Sequence, residues 1–187
     1  MIEKLKAKLE PSSLTSKSNS NECLIPSSVI VLIFKKNNIY NILLNKRSNS
    51  VQDHKGEISF PGGRQDKNDN NLLTTALREF EEEMGISKTK IDIIGKLGDV
   101  ITSSNYLITP YVATTSSQLN FSPNPKEVDL LIEIPLNELK NPQNLRSEIR
   151  VTNNTPIQNT CYSYEGIFIW GATARILTEL LNICDPG

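Results

Sequence analysis

The sequence predicts a single mixed α/β domain of the α+β kind, in which a mixed β-sheet packs against a few helices. Three observations lead to this expectation. Short runs rich in apolar and β-branched residues recur along the 187-residue chain, as strands require. An amphipathic helix interrupts these runs near the middle of the chain, and a second helix follows the last of them. A chain of this length usually forms one domain, since domains have roughly 100–200 residues.

The predicted strands begin with a hairpin. Residues 28–34 are almost entirely apolar, residues 35–38 form a polar turn, and residues 39–44 return as a second strand. A short extended piece at residues 57–60 ends at Pro61-Gly62-Gly63, which we interpret as a tight turn. Further apolar runs predict strands at residues 91–94, 97–102, 106–115, 128–134 and 167–170, with one turn of helix at 135–139.

The central helix is predicted over residues 72–84. Leu73, Leu77, Phe80 and Met84 recur at helical spacing and form one apolar stripe. The preceding Asn- and Asp-rich loop supplies N-cap candidates, and Gly85 suits the end of the helix. A closing helix is predicted over residues 172–183.

Composition suggests how the domain is organised and which partners it lacks. Residues 10–22 are rich in Ser and Asn, so we expect residues 1–22 to be a flexible N-terminal segment and residues 23–187 to form the single domain. The net charge of −1 argues against binding to nucleic acid or membrane through bulk charge. The chain shows neither a secretory signal nor the ~18-residue apolar run of a membrane helix, so we expect a cytoplasmic protein. We expect this protein to be either a monomer or a homodimer.

The acidic end of the central helix carries the most chemical information. At 100° per residue, Glu82 and Glu83 lie about −60° and +40° from Glu79, so three carboxylates share one face. A solvated acidic face is the ordinary interpretation of such a run. However, like charges at this spacing destabilise a helix, and its C-terminal end favours cations. A bound Mg²⁺ or Mn²⁺ ion would remove both objections, because hard cations prefer oxygen ligands.

The segment from Arg78 to Ile86 resembles the second half of the Nudix box, the signature of the Nudix hydrolases. It matches the pattern R-E-U-x-E-E-x-G-U, where U is a bulky apolar residue. The first half departs from the pattern: Gly63 is followed by Asp69 in place of a glutamate, and eight residues instead of seven separate Asp69 from Arg78. The resemblance implies a Nudix-type α/β/α sandwich with a mixed β-sheet and a catalytic loop-helix-loop.

The same resemblance implies metal-dependent cleavage of a nucleoside diphosphate linked to another group. Glu79 and Glu83 would be the principal metal ligands. Glu82 would be either a third ligand or the base that accepts a proton from water, and Arg78 would orient a carboxylate. The carbonyl of Gly62 or Gly63 is a candidate backbone ligand, and Glu127 is a candidate acid from a later loop.

A narrower resemblance points to the coenzyme A diphosphatases. It rests on Leu-Leu-Asn-Lys-Arg-Ser at residues 43–48, on His54-x-Gly-Glu, on Phe-Pro-Gly-Gly at 60–63, and on segments 124–128 and 169–177. It implies cleavage of coenzyme A or acyl-CoA into 4′-phosphopantetheine, or its acyl form, and adenosine 3′,5′-bisphosphate. The implied substrate-binding residues are Arg47, His54, Gly56, Arg64 and Glu127. Basic residues around His54, including Lys46 and Lys55, would suit the 3′-phosphate.

Two other functions remain open on the sequence alone. A different Nudix hydrolase, acting on ADP-ribose, NADH or a nucleoside triphosphate, would share the acidic helix but would not need the motif around His54. A catalytically silent Nudix domain that binds a nucleotide would often lose acids from the box. Glu79, Glu82, Glu83 and Arg78 are all present here, which favours an enzyme.

Overall fold

A computed structural model describes residues 1–11, 24–50, 55–152 and 155–184 of the chain. Strands β1 (Ile25–Lys36) and β2 (Ile39–Arg47) form the predicted antiparallel hairpin. Asn37 and Asn38, at its two-residue turn, both have positive φ angles of 51° and 68°. Asparagine tolerates this conformation better than most residues, and tight hairpin turns require it.

The hairpin lies at the centre of an eight-stranded sheet. Its main order is β3-β2-β1-β7-β5, with β4 paired to β1, β6 to β7 and β8 to β2. Only β1 and β7 run parallel, so the sheet is mixed, as predicted. The remaining strands are β3 (Ile58–Ser59), β4 (Gly62–Arg64), β5 (Asp92–Lys96), β6 (Val100–Ile101), β7 (Tyr106–Thr114) and β8 (Val128–Pro135).

Both faces of this sheet are covered, which explains why β1 is apolar throughout. Ile30 and Leu32 belong to the core cluster that contains Phe80 of helix α2 (Leu72–Met84), whereas Val31 and other residues on the opposite face pack against helix α4 (Gly171–Cys184). Successive strand residues point to opposite faces, so a doubly covered strand needs apolar residues at every position. The predicted α/β/α sandwich is therefore confirmed. Two short helices, α1 (Ile2–Lys6) and α3 (Leu136–Lys140), complete the fold.

Helix α2 has the predicted bounds and ends. The Asn71 side chain accepts a hydrogen bond from the backbone N–H of Thr74 at 2.9 Å and caps the first turn. Gly85 ends the helix in the left-handed conformation, with φ of 64°. The loop that follows β7 packs closely against this end of the helix: Ser122 and Asn124 donate backbone hydrogen bonds to the carbonyls of Met84 and Glu83.

A second sheet was mostly missed by the sequence analysis. Strands β9 (Leu145–Thr152), β10 (Thr155–Tyr164) and β11 (Ile167–Ile169) form an antiparallel sheet, of which only β11 was expected. The apolar residues of β9 and β10 are sparse, and several of them are exposed, so the hydrophobic pattern is weak. The sheet is attached to α4 through Tyr162, whose hydroxyl lies 2.8 Å from the hydroxyl of Thr178.

Part of the N-terminal segment contacts the rest of the fold. Leu5 of α1 is buried in the core that includes α4, and Glu10 pairs with Lys96 through backbone hydrogen bonds. Residues 2–10 thus contain a short helix with one buried apolar side chain and one backbone pairing to β5, while the flexible segment at residues 1–22 stays a prediction. The part of that segment at residues 12–22 lies outside the described residues. Within the described ranges, no helix combines the length and apolar character needed to cross a membrane.

Candidate active site

Strand β4 and helix α2 meet where the backbone of two glycines contacts two glutamates. The N–H of Gly62 donates a hydrogen bond to Glu83 Oε2 at 3.0 Å. Gly63 lies against the Glu79 carboxyl so closely that a Cβ atom at residue 63 would be 2.5 Å from Glu79 Cδ. A side chain at Gly63 would therefore disturb the contact with Glu79, whereas one at Gly62 would meet the backbone of Ser28 and Val29. Where a turn was expected at residues 61–63, Gly62 and Gly63 instead belong to strand β4, which pairs with β1.

Glu83 is the most buried acid of the helix, with a side chain only 3% exposed. Its carboxyl receives hydrogen bonds from Gly62 and, at 3.4 Å, from the Asn45 amide, and Arg47 Nη1 lies 3.5 Å away. Burial raises the pKa of Glu83 to about 8, against the opposing effects of Arg47 and the Gly62 N–H. A site of this kind favours either a protonated carboxyl or a nearby cation at neutral pH.

Asn45 is a site residue that the sequence analysis missed. It is fully buried on β2, its Nδ2 donates to Glu83, and its Oδ1 accepts a hydrogen bond from Ser59 Oγ at 2.9 Å. These two contacts fix the amide orientation. The signal that was available is an uncharged polar residue directly after the apolar run 42–44 and still within the predicted hairpin, because a buried polar side chain in a strand needs hydrogen-bond partners.

Arg78 links three acids at the exposed edge of the same helix. Its Nη1 donates to Glu79 Oε1 at 2.9 Å and to Glu82 Oε2 at 3.1 Å, while its other nitrogens bind Asp69. These neighbours hold the pKa of Arg78 well above its usual range, with the Asp69 hydrogen bond as the largest cause. Arg78 therefore contacts two of the predicted metal-binding carboxylates directly.

The carboxylates of this region repel one another. Burial raises the pKa of Glu79, Glu82 and Glu127 raise it further, and Arg78 acts in the opposite direction. Glu127 also raises the pKa of Glu83. Glu127 is half-buried and follows the loop that packs on the end of α2, and its backbone carbonyl accepts a hydrogen bond from Ser48 N–H. The structure thus brings Glu127 near the helix acids, as the resemblance implied.

The donor set suits a hard divalent cation, although the carboxylates do not form a ready-made cage. Among the described residues, no three acidic, histidine or cysteine side chains converge as a metal-binding group. Glu79 and Glu82 instead share one Arg78 nitrogen, and Glu83 faces inward. Even so, buried and mutually repelling carboxylates next to a small glycine backbone fit an ion such as Mg²⁺, which prefers oxygen ligands and usually binds only one or two carboxylates.

A cavity of about 840 Å³ adjoins this group of acids. Arg47, Gly62 and Gly63 line it at the side of Glu79 and Glu83. Its walls combine apolar and aromatic side chains with hydroxyl and charged groups, including Phe60, Tyr106, Trp170, Arg64 and Arg175. The volume lies in the range of small-molecule binding sites.

Some of the predicted substrate-binding residues line the cavity and others do not. Arg47 and Arg64 line the cavity. Gly56 lies in the adjoining turn, with φ of 70° and its N–H bonded to the Arg47 carbonyl, but it does not line the cavity. Lys46 does not line it either, since its Nζ pairs with Asp129 at 2.9 Å. His54 lies outside the described residues.

The family model described as the NUDIX domain matches residues 24–152, which include α2, Asp69 and both glycines. The chain belongs to the Nudix family. Nudix proteins are hydrolases of phosphorus-containing anhydrides and generally use divalent metal ions, so this Nudix chain is a hydrolase. A Yersinia pestis (strain Pestoides F) protein named uncharacterized Nudix hydrolase NudL is 38% identical over 141 residues, covering 74% of this chain and 70% of that protein.

Solved Nudix structures share this fold. The crystal structure of RenU, a Nudix hydrolase from M. smegmatis, has a TM-score of 0.52 and 16% identity, covering 62% of this chain and 73% of that one. The Nudix domain of Shewanella oneidensis NrtR, complexed with ADP ribose, has a TM-score of 0.50 and 19% identity, covering 67% and 82%. At these identities the likeness concerns the fold of the Nudix domain.

Proposed function

We propose that the chain hydrolyses the diphosphate bond of coenzyme A or acyl-CoA, giving 4′-phosphopantetheine, or its acyl form, and adenosine 3′,5′-bisphosphate. The observation that carries this proposal is the cavity beside Glu79 and Glu83, in which Arg47 of the coenzyme A motif and Arg64, which directly follows that motif, lie among apolar and aromatic walls. Such a cavity suits a substrate that is both nucleotide and polyanion.

The acids of α2 have different proposed roles in metal binding and catalysis. Glu79 and Glu83 would hold Mg²⁺ or Mn²⁺. Glu82 would be a third ligand or the base that takes a proton from water, and the carbonyl of Gly62 is a candidate ligand. A bound divalent cation would neutralise phosphate oxygens and lower the pKa of a bound water. Arg78 orients Glu79 and Glu82 through its Nη1 group. That nitrogen contacts one oxygen of each carboxylate, so the second oxygen of each would remain available to a cation.

The remaining predicted residues act on the substrate. Arg47 and Arg64 bind its phosphate groups from the cavity wall. Gly56 shapes the turn that carries the motif, and Glu127 adds a negative charge next to Glu79 and Glu83. His54 belongs to the same motif and is proposed as a substrate-binding residue on the resemblance alone.

The test compares hydrolysis of coenzyme A, ADP-ribose and NADH with Mg²⁺ or Mn²⁺ in wild type, Glu83→Gln and Glu81→Gln. Glu81 lies on the same helix, and its side chain makes none of the contacts described above, so it is the matched control. We expect metal-dependent cleavage that prefers coenzyme A, is lost in Glu83→Gln and persists in Glu81→Gln. Preference for another dinucleotide would discard the coenzyme A substrate and keep the acidic site. Absence of cleavage of every substrate by the folded protein would contradict the proposal as a whole.

A further inference from the structure

The far end of the cavity is formed by a different part of the chain from the end next to the acids. Arg175 of α4 lines the cavity, and its guanidinium donates a hydrogen bond to the carbonyl of Ile101 on β6. Trp170, which directly precedes α4, lines the cavity as well. Neither residue belongs to the Nudix box or to the basic segment around His54.

The register of the sheet shows how far apart the two ends are. Arg64 on β4 pairs with Ser27 on β1, Ser27 pairs with Ile108 on β7, and Ile108 pairs with Val100 on β6. Three strand spacings of ~4.8 Å therefore separate β4 from β6, about 14 Å in all. Arg175 therefore lies across the cavity from the two glycines that contact the acids.

Arg175 has the free hydrogen-bonding capacity that an anion site needs. Within the described ranges no carboxylate forms an ion pair with it, and its hydrogen bond to Ile101 uses one of five guanidinium N–H donors. Hydroxyl-bearing residues line the same end of the cavity: Thr102, Ser103 and Ser104. Guanidinium and hydroxyl donors together match the tetrahedral oxygens of a phosphate monoester.

The charged and aromatic side chains of the cavity indicate which kind of ligand it binds. Three arginines and two glutamates, Glu57 and Glu148, line the cavity, so its charged side chains are cationic on balance. Trp170, Tyr106 and Phe60 provide aromatic surface, on which a nucleobase stacks irrespective of its identity. A nucleoside that carries a phosphate monoester in addition to its 5′-diphosphate satisfies both features.

We infer that Arg175 is a specificity-determining residue, which binds the second phosphate group of a nucleoside 3′,5′-bisphosphate moiety at the end of the cavity opposite the acidic helix. This inference rests on the proposed function. It places the contact with the 3′-phosphate, and so the discrimination between coenzyme A and dephospho-coenzyme A, on Arg175 of α4 and not on Lys46 and Lys55, which do not line the cavity. A purely structural role, in which Arg175 only ties α4 to β6, would change stability and would affect both substrates equally.

The first experiment measures equilibrium binding of adenosine 3′,5′-bisphosphate and of 5′-AMP to wild type, Arg175→Gln, Arg175→Lys and Arg146→Gln. Arg146 lies on β9 outside the cavity and bonds to the carbonyls of Gln143 and Leu145, so its variant controls for the loss of one positive charge. We expect Arg175→Gln to weaken bisphosphate binding about 10- to 100-fold, as loss of charge-assisted hydrogen bonds does, with AMP binding unchanged. Arg175→Lys should lose less, and Arg146→Gln should match wild type.

The second experiment compares kcat/KM for coenzyme A and dephospho-coenzyme A in the same proteins. Wild type should prefer coenzyme A, and Arg175→Gln should lose that preference mainly through KM. Equal losses for both ligands, or no loss, would overturn the inference while the proposed function stands. If the protein cleaves other anhydrides and not coenzyme A, the proposed function fails. The inference about Arg175 is then tested by the first experiment alone, which compares binding of adenosine 3′,5′-bisphosphate with binding of AMP. Failure of wild type to bind the bisphosphate more tightly than AMP would overturn it.

Discussion

Arg78 and Asp69 form two parallel hydrogen bonds, from Nε to Oδ1 at 3.1 Å and from Nη2 to Oδ2 at 2.9 Å. The Asp69 side chain is only 4% exposed, and the Arg78 guanidinium holds its pKa well below the usual range. This pair ties the polar loop before α2 to the helix and leaves Nη1 of Arg78 directed at Glu79 and Glu82. Asp69, displaced by one residue in the sequence pattern, is thus a partner of the arginine that orients the acids.

Replacement of Asp69 by Asn should destabilise the protein. The variant removes the charge that pairs with Arg78, and we expect the free energy of unfolding to fall by about 2 kcal/mol, the size of a hydrogen bond to a charged group. Urea denaturation measures the change. Asp92→Asn, at an exposed position of β5, should stay within ~0.5 kcal/mol of wild type. A variant Asp69→Asn as stable as Asp92→Asn would contradict the structural role of the pair.

The stabilisation by Asp69 should depend on pH in a defined direction. Its pKa is lower in the folded protein than the ordinary value of 3.8, so the unfolded chain binds the proton more tightly. The stabilisation is therefore complete above pH ~5 and is lost as the pH falls below ~4 toward the folded pKa. Denaturation of wild type and Asp69→Asn across this range should show a stability difference that shrinks in acid. A difference that stayed constant down to pH ~2 would exclude this linkage.

Alanine substitutions at the two neighbouring glycines should separate folding from activity. At Gly63 the new Cβ would meet the Glu79 carboxyl, which can swing aside, so stability should change little. The displaced carboxylate should lower metal-dependent kcat/KM by up to ~100-fold, since a shift of about 1 Å can have that effect. At Gly62, with φ of 149°, the Cβ would meet the backbone of Ser28 and Val29, and we expect a loss of ~3 kcal/mol or more.

The readouts for this glycine pair are urea denaturation and steady-state hydrolysis at increasing Mg²⁺ concentrations. Full activity of Gly63→Ala would show that Glu79 need not lie against β4. A stable Gly62→Ala variant would show that β4 can move away from β1.

A second matched pair of glycines is Gly85 at the end of α2 and Gly171 at the start of α4. Gly85 and Gly171 have nearly equal φ angles of 64° and 63°, so alanine should cost each ~1–2 kcal/mol for the left-handed conformation. At Gly85 the Cβ would also collide with the Ser122 carbonyl, whereas at Gly171 nothing lies within 4 Å. Gly85→Ala should therefore be less stable than Gly171→Ala by a further ~1–3 kcal/mol in thermal or urea denaturation. Equal losses would show that the loop at Ser122 relaxes freely.

The sequence predicted those parts of the fold that have a strong periodic pattern. Helix α2 and the β1–β2 hairpin each combine an apolar pattern with local turn or cap residues, so sequence and tertiary packing agree. The β9–β10 hairpin was missed because its apolar residues are sparse in the sequence, and those such as Ile149 and Val151 are 68% and 70% exposed, so no core packing accompanies them. Strand β4 was missed because Gly62-Gly63 is typical of a turn, and only its pairing with β1 makes it extended.

The residues of the candidate site could also be predicted only in part. The acids of α2 could be named from helical spacing, because they lie on one element. Asn45 and Arg175 lie in segments that carry the coenzyme A resemblance, but their roles could not be named, since each contacts a partner remote in the sequence: Glu83 for Asn45 and Ile101 for Arg175. Register and helix packing, which decide such contacts, are not encoded in any short stretch of residues.

Part of the cavity wall comes from a stretch of the chain that follows the residues matched by the family model. The acids and their glycine backbone lie within residues 24–152, which the family model matches, whereas Trp170 and Arg175 come later. Mutations in the later stretch can therefore alter ligand preference while the carboxylates keep their contacts with Gly62 and Gly63. An evolving lineage can in this way retain one reaction and acquire new substrates, and a protein engineer can graft or randomise the C-terminal wall with the acidic helix unchanged.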